Sequence, residues 1–355
     1  MQWKLSQEQD AYQEAFRDWL AGVAPSDTVR EWLDSGDASV FEARFVADGW
    51  AGVGLPEELG GQGGGLVELA LTAEELARAG VPSAGWLATV LAAPVLARRT
   101  DLVGAALAGE TIALLVPAES IPQTAPSLTV DGEGAITGSV SRVLAGDTAT
   151  RFVALAGEGA EREPRLVDAH ATGVGVTRRR LLDRSRSVAD ISLDGVPSLT
   201  LDADPAGVLR QASARAAVLV AADALGASER MLDLAVDYSK QRHQFGVPIG
   251  SFQAVKHAAA TILVGVEAAR SSVYFAAASV DADDPQALMH AAAVKAQVTA
   301  EGVRAADSAL TMHGAIGYTW EHDLHLYFKR AKLDEQLYGR PAEWNECIAD
   351  GLALA

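Results

Sequence analysis

The sequence predicts an α+β fold that is mostly α: an N-terminal helical domain, a small middle β-sheet domain and a C-terminal four-helix bundle. Three observations carry this. Segments of helical period fill both ends of the chain, and those nearer the carboxy terminus are long and Ala-rich. Short β-branched runs, broken by Gly, Asp and Pro, occupy the middle. Aromatic residues make up only 6% of the chain, which argues against an all-β protein. A length of 355 residues suits two or three domains. The changes of character place the boundaries at 1–110, 111–204 and 205–355.

In the first part, Leu5–Leu20 places Tyr12, Phe16 and Leu20 at helical spacing. Val40–Trp50 and Gly65–Ala79 follow as helices, the second carrying the acidic pair Glu74-Glu75. Between them, residues 54–65 read Gly-Leu-Pro-Glu-Glu-Leu-Gly-Gly-Gln-Gly-Gly-Gly, a loop because Pro and Gly clusters break helices. In the middle part, Thr111–Val116, Ser127–Val130, Ala135–Val140, Phe152–Leu155, Gly175–Thr177 and Val188–Leu193 predict an antiparallel sheet. Asp131-Gly132-Glu133-Gly134 fits a hairpin turn. From Pro205 the helical period returns over 206–241, 252–281, 286–312 and 322–337. Helices this long form a bundle, and their Ala-rich faces are too apolar to stay solvated, so the bundle should drive association.

Lys and Arg number 29 and Asp and Glu 47, a net charge of −18. This balance argues against nucleic acid and against anionic membranes as partners. Hydrophobic residues at 49% with charged residues at 21% describe a globular chain. The single cysteine, Cys347, excludes an intrachain disulfide and a multi-cysteine metal site. The apolar runs Leu87–Ala97 and Ala216–Ala222 are too short to span a bilayer. The amino terminus lacks the charged start and apolar stretch of a signal peptide, so a cytoplasmic location is expected. Glycines 60, 61, 63, 64 and 65 are followed by no Lys-Ser/Thr, so the phosphate-loop pattern fails. His322 and His325 are three apart but have only Glu321 and Asp323 beside them, so no metal is expected.

The junction of the first two long helices reads Tyr238-Ser-Lys-Gln-Arg242-His-Gln-Phe245-Gly-Val-Pro-Ile-Gly-Ser-Phe252-Gln253. It is a helix end with a Gly–Pro turn, or it is an anion site. In the second case Arg242 supplies a guanidinium fork, Phe245 an aromatic face and Gln253 an amide at a helix start. The pattern from Arg242 to Gln253 resembles the signature of acyl-CoA dehydrogenases. Other segments agree in order. The run from Trp50 to Gly63 resembles the family's amino-terminal loop, Leu193-Asp-Gly-Val-Pro197 the end of its β domain, and the run from His313 to Asp323 its Gly-rich loop. The resemblance covers essentially the whole chain. It implies the acyl-CoA dehydrogenase fold and FAD bound at a dimer interface. It implies oxidation of an acyl-CoA thioester between Cα and Cβ, in which a carboxylate takes the α proton and the flavin takes a hydride. It further implies that Arg242, Phe245 and Gln253, with His313, Gly314 and Gly317 of the loop, contact the neighbouring subunit's FAD. Thr311 stands where the family often has a Gln that reaches the same cofactor.

The departures from the family pattern are as informative. The common catalytic Glu lies in Tyr-Glu-Gly after an Ala-Lys pair. Here Ala331-Lys332-Leu-Asp334-Glu335-Gln-Leu337-Tyr338-Gly339 puts Tyr338 at that position. A phenol with a pKa of about 10 is a poor base. The family's alternative Glu position holds Ala216. No catalytic residue therefore stands at a usual position. Asp334 and Glu335 lie close by, either as a displaced base, with Glu335 the candidate, or as a solvated helix face. In the β domain the family's Thr-Glu segment is replaced by Ala113-Leu-Leu-Val116-Pro117-Ala-Glu119. Arg142 and Leu144 stand where a flavin-facing Trp and a hydroxyl residue are usual. Arg178, Arg179, Arg180, Arg184 and Arg186 form the densest basic patch. It meets the phosphates of CoA or an acidic partner, or it is a rim paired with Asp183.

Groups that serve the neighbour's FAD survive, and groups that serve the chain's own flavin ring and substrate are missing. That asymmetry resembles the non-catalytic β-type subunits of actinobacterial α2β2 acyl-CoA dehydrogenases, which often act on bulky CoA thioesters such as steroid side chains. The first expectation is a subunit that completes the FAD site of a base-bearing partner acting on an acyl-CoA. Two alternatives stay open: a self-sufficient homodimeric dehydrogenase with a displaced base, and a non-redox scaffold or binding protein derived from the family.

Overall fold

Ser6 starts the first helix. Its hydroxyl accepts the Gln9 backbone N–H at 3.2 Å while the Gln9 side chain accepts the Ser6 N–H at 3.0 Å, a reciprocal cap. The structure is a computed structural model that describes residues 4–97, 99–157 and 162–352; the first three residues of the amino terminus discussed above lie outside them. The helices are α1 (Gln7–Val23), α2 (Ser26–Ser35), α3 (Ser39–Ala47), α4 (Leu66–Ala79), α5 (Ala84–Leu96) and α6 (Thr100–Leu107), then α7 (Pro205–Gln241), α8 (Gln253–Asp281), α9 (Ala287–His313), α10 (Leu324–Gln336) and α11 (Pro341–Gly351). The strands are β1 (Ile112–Leu114), β2 (Leu128–Val130), β3 (Ala135–Leu144), β4 (Arg151–Ala156), β5 (Glu163–Asp168), β6 (Val174–Arg179) and β7 (Val188–Thr200), and a short hairpin adds β8 (His243–Gln244) and β9 (Val247–Pro248). No helix among the described residues is long and apolar enough to cross a membrane. The chain forms two compact units.

The first unit comprises Met1–Trp32, Val67–Val81 and Ala217–Ala355. Here α9 is the central helix, touched by α8, α10 and α11. Its small residues let neighbours approach. A Cβ on Gly302 would meet Ser228 of α7 at 3.4 Å. The approach of α7 to α4 is closer still, since a Cβ on Gly226 would lie 1.9 Å from the Glu74 carbonyl oxygen. Charges buried at this seam are paired. Glu74 is fully buried and accepts from Arg270 Nη1 and Tyr274 Oη, each at 2.6 Å. Burial pushes its carboxyl up to about 7 against the pull of Arg270. Arg330 grips Asp223 through two bonds of 2.6 and 2.7 Å and donates to the Val81 carbonyl at 3.0 Å.

The second unit comprises Leu33–Leu66 and Pro82–Ala216. Its seven-stranded sheet runs β1-β4-β5-β7-β3-β2, and β6 also pairs with β7. The turn at Asp131–Gly134 forms as expected. Asp131 Oδ1 accepts the N–H groups of Glu133 and Ala135 at 2.9 Å each, and β2 pairs antiparallel with β3. The expected all-antiparallel pairing needs one correction: β1 pairs parallel with β4. The chain leaves β1, completes the β2–β3 hairpin and returns to lie beside it, so the strand arrives in the same direction. β7 extends well past Leu193, because its far end pairs with β5 from Arg165↔Thr200 to Val167↔Ser198.

Candidate functional site

The end of α7 and the start of α8 build one exposed corner. The Arg242 N–H donates to the Tyr238 carbonyl at 2.8 Å, and the Ile249 N–H donates to the Arg242 carbonyl at 2.8 Å. Between them β8 and β9 pair, and the turn residues Phe245 and Gly246 have φ of +54° and +80°. Two left-handed residues make the hairpin turn whose twist matches its strands. Glycine suits this conformation and phenylalanine resists it. Phe245 nevertheless sits there, 92% exposed, with its ring edge-on to Phe252 at 6.1 Å. Arg242 and Gln253 are exposed as well. The corner therefore presents a guanidinium, two aromatic rings and an amide to the outside, at a cost in strain and solvation that packing within the chain does not repay.

The Gly-rich loop lies differently. His313 is buried. Its Nδ1 bonds the Ala309 carbonyl at 2.8 Å, and its ring stacks on Tyr238 at 4.8 Å and meets His322 at 4.5 Å. Burial lowers its pKa, so the ring is a neutral spacer between α9 and the last turn of α7. Gly314 is exposed with φ +66°. Gly317 is buried, and a Cβ there would come within 2.8 Å of Leu310. Thr311 is exposed, but its hydroxyl donates to the Asp307 carbonyl at 2.8 Å. Sequence reasoning missed two neighbours, Tyr318 and Trp320, which are both largely exposed, with Lys329 Nζ 3.9 Å from the Trp320 ring. Exposed aromatics in a Gly-rich segment were the available signal.

The turn from α10 to α11 carries Tyr338, a buried residue with φ +55°. Its carbonyl accepts Trp344 Nε1–H at 3.0 Å. Lys295 of α9, fully buried, donates to the carbonyls of Asp334 and Gly339 at 2.9 Å each. Burial pushes its ammonium down to about 7, against the pull of Asp334, Glu335 and Glu343. Asp334 is itself fully buried, so the solvated-face expectation is corrected for it: Asp334 belongs to the interior beside Lys295. Glu335 is half-buried and accepts from Gln336 Nε2 at 3.1 Å. Lys295 was not found in the sequence, where a lysine in an Ala-rich helix reads as a surface residue.

In the second unit Ala216 is fully buried and offers only a methyl group. Arg142 sits where the β3–β7 register shifts, with φ +49°. Its guanidinium pairs with Glu119, and its N–H donates to Asp190 Oδ1 at 2.9 Å. Val143 and Leu144 turn into the core. The basic patch does not pair with Asp183 as the rim expectation had it. Asp183 bonds Ser185, while Arg178 pairs with Asp147 at 3.1 Å and Arg184 with Asp34 at 2.8 Å. Among the described residues no group of three or more His, Cys, Asp or Glu side chains is placed to hold a metal ion.

The acyl-CoA dehydrogenase N-terminal domain model matches residues 6–101 and the C-terminal domain model matches residues 207–349. Acyl-CoA dehydrogenase IpdE2 of Mycolicibacterium smegmatis is 34% identical over 347 residues, covering 96% of this chain and 97% of its own. The chain belongs to the acyl-CoA dehydrogenase family. Acyl-CoA dehydrogenase FadE34 of Mycobacterium tuberculosis is also 34% identical, over 96% of this chain but 47% of its own length, so the chain spans about half of that relative. Among solved structures, a variant of the Tcur3481-Tcur3483 steroid ACAD superposes with a TM-score of 0.87 at 26% identity over 98% of both chains. The ChsE4-ChsE5 complex of Mycobacterium tuberculosis gives 0.86 at 25% identity over 100% of both. Butyryl-CoA dehydrogenase of Megasphaera elsdenii, at 22% identity, shares the fold with a TM-score of 0.90 over 99% of this chain and 100% of its own.

Acyl-CoA dehydrogenases are flavoprotein oxidoreductases, so the donor sets can be tested against FAD. The corner at Arg242 suits it: a guanidinium for phosphate oxygens, aromatic faces for ring stacking and an amide for hydrogen bonds. The strand position at Arg142 does not suit a flavin ring. An ion pair with Glu119 stands where stacking needs an apolar face, and Leu144 has no hydroxyl to offer.

Proposed function

We propose that this chain is a subunit of an FAD-dependent acyl-CoA dehydrogenase that completes the FAD site of a base-bearing partner subunit. The observation that carries the reading is Phe245, 92% exposed in a left-handed turn beside exposed Arg242. Strain and exposure of this kind are stored where a ligand or partner repays them. The redox chemistry would come from bound FAD, as hydride acceptor for the acyl β carbon. The chain's own residues bind and orient. Arg242 would neutralise cofactor phosphate with its guanidinium N–H donors, Phe245 and Phe252 would exclude water from one side, and the Gln253 amide would fix orientation.

On this reading the residues weighed as acceptors of the α proton are poor ones. Tyr338 is buried with its turn held by Lys295 and Trp344, Ala216 is a methyl group, and Glu335 is engaged by Gln336. We therefore assign the base to the partner, in an α2β2 assembly with FAD shared across the interface. The substrate class is an acyl-CoA with a bulky, steroid-like acyl group, by similarity to the steroid ACAD. The working location is the cytoplasm. Arg242→Ala and Phe245→Ala test the reading. In the assembled complex each should weaken FAD binding at least tenfold, while the thermal midpoint of the isolated chain changes little, because both residues are exposed. Unchanged FAD affinity in both variants contradicts it.

A further inference from the structure

Two histidines meet where the Gly-rich loop touches the end of α7. The His313 and His322 rings lie 4.5 Å apart. Tyr238 stacks on His313 at 4.8 Å and meets His322 edge-on at 6.2 Å. The Leu324 N–H donates to His322 Nδ1 at 3.2 Å, so that nitrogen keeps a lone pair and carries no proton. His313 is buried, which also holds it neutral. The stack joins two segments of the first unit. Tyr238 lies one turn before Arg242, and its carbonyl accepts the Arg242 N–H at 2.8 Å. Gly250 of the corner rests on the next carbonyl, that of Ser239, which a Cβ there would meet at 3.1 Å. On the loop side Asp323, next to His322, is held by Arg30 Nε at 2.6 Å and by the Ser26 hydroxyl.

We propose that the Tyr238–His313–His322 stack is an acid-sensitive latch between the corner at residues 242–253 and the loop at residues 313–323, with His322 as its proton sensor. A proton can add to neutral His322 only at Nδ1, and there it displaces the Leu324 N–H. The new charge sits 4.5 Å from a second imidazole and faces Arg30 of α2 and Arg230 of α7. Asp323 faces it too, but that carboxylate is already engaged by Arg30. Burial, then the His313 ring, hold the His322 pKa below its usual value. Between the two values the open form binds a proton that the closed form refuses, so falling pH opens the latch. His325 of α10, held at about 4 by burial and Lys329, is still mostly neutral at pH 5.5. The latch works within the isolated chain and needs neither flavin nor a partner, so it stands or falls apart from the function proposed above.

Hydrogen–deuterium exchange of the full chain at pH 7.5 and 5.5, corrected for the intrinsic rate, tests it. Peptides covering 238–252 and 314–324 should lose protection severalfold at pH 5.5, while α5 in the second unit keeps its own. His322→Asn offers the Leu324 N–H an uncharged acceptor two residues before it. This variant should match the wild type at pH 7.5 and stay protected at pH 5.5. His257→Asn, at an exposed histidine of α8, should open with acid as the wild type does. Histidine-selective NMR of the wild-type chain carries the test without any variant: the His322 ring should titrate with the same midpoint as the loss of protection. Equal protection of both segments at the two pH values overturns the proposal. So does a His322 midpoint that differs from that of opening, and so does a His322→Asn chain that opens at pH 5.5 as the wild type does.

Discussion

Lys295→Met should destabilise the protein, and by more at pH 9 than at pH 7. Methionine keeps most of the apolar stem and removes the ammonium that donates to the Asp334 and Gly339 carbonyls at 2.9 Å each. Both carbonyls then lose a buried donor, at about 1–3 kcal/mol apiece. The opposing gain is that an ammonium no longer has to be buried. That gain is largest where the wild-type lysine is charged. Burial holds Lys295 at about 7, well below the usual lysine value. Between the two values the unfolded chain binds more protons than the folded one, so the Lys295 contribution to stability rises with pH, by up to about 1.4 kcal/mol per unit. The variant lacks this slope. Urea unfolding of both proteins, followed by far-ultraviolet circular dichroism at pH 7, 8 and 9, should show the gap widening at each step. Other ionisable groups are common to both proteins and cancel in the difference. A gap that is constant or shrinks from pH 7 to 9 refutes the reasoning, because it would mean that Lys295 is not a buried group of lowered pKa.

Two further outcomes test the packing around the long helices. Asp223→Asn leaves the Arg330 guanidinium buried without its carboxylate and should cost about 3–5 kcal/mol, read as a lower urea midpoint. Gly226→Ala places a methyl group 1.9 Å from the Glu74 carbonyl and should cost about 3 kcal/mol or more, whereas Gly302→Ala, whose Cβ meets Ser228 at an ordinary 3.4 Å, should be neutral or stabilising in the same assay.

The long helices could be read in the sequence almost to the residue: α7, α8 and α9 begin and end within one position of the expected 206–241, 252–281 and 286–312. Their Ala-rich period is a local property and needs no partner to be seen. The hairpin at Asp131–Gly134 was visible for the same reason. What escaped was non-local. α5 is apolar on all sides, with Leu87, Leu91 and Leu96 buried alike, so it shows no helical period, and it carries Pro94 inside it. β5 contains Pro164 and Arg165, which disguise a strand whose partners are far away in the chain. The parallel pairing of β1 with β4 rests on a long return that no local signal reports.

At the candidate site, the residue types at Arg242, Phe245 and Gln253 left a plain turn and an anion site both open, and their exposure on one corner is visible only in the structure. The burial of Lys295 and Asp334 was invisible, because two charges 39 residues apart each look like surface. His313 could be expected to face a ligand, yet its ring is committed to Tyr238 and His322, a stack that only the tertiary fold creates.

The proposal that this chain lends groups to a neighbour's flavin and builds no complete site of its own has a spectroscopic test. The visible absorbance of the purified protein tests it most directly, with and without a co-expressed base-bearing acyl-CoA dehydrogenase subunit. The isolated chain should be colourless, and the complex should hold one FAD for each pair of unlike subunits. Stoichiometric FAD on the isolated chain, together with turnover of an acyl-CoA, would contradict it.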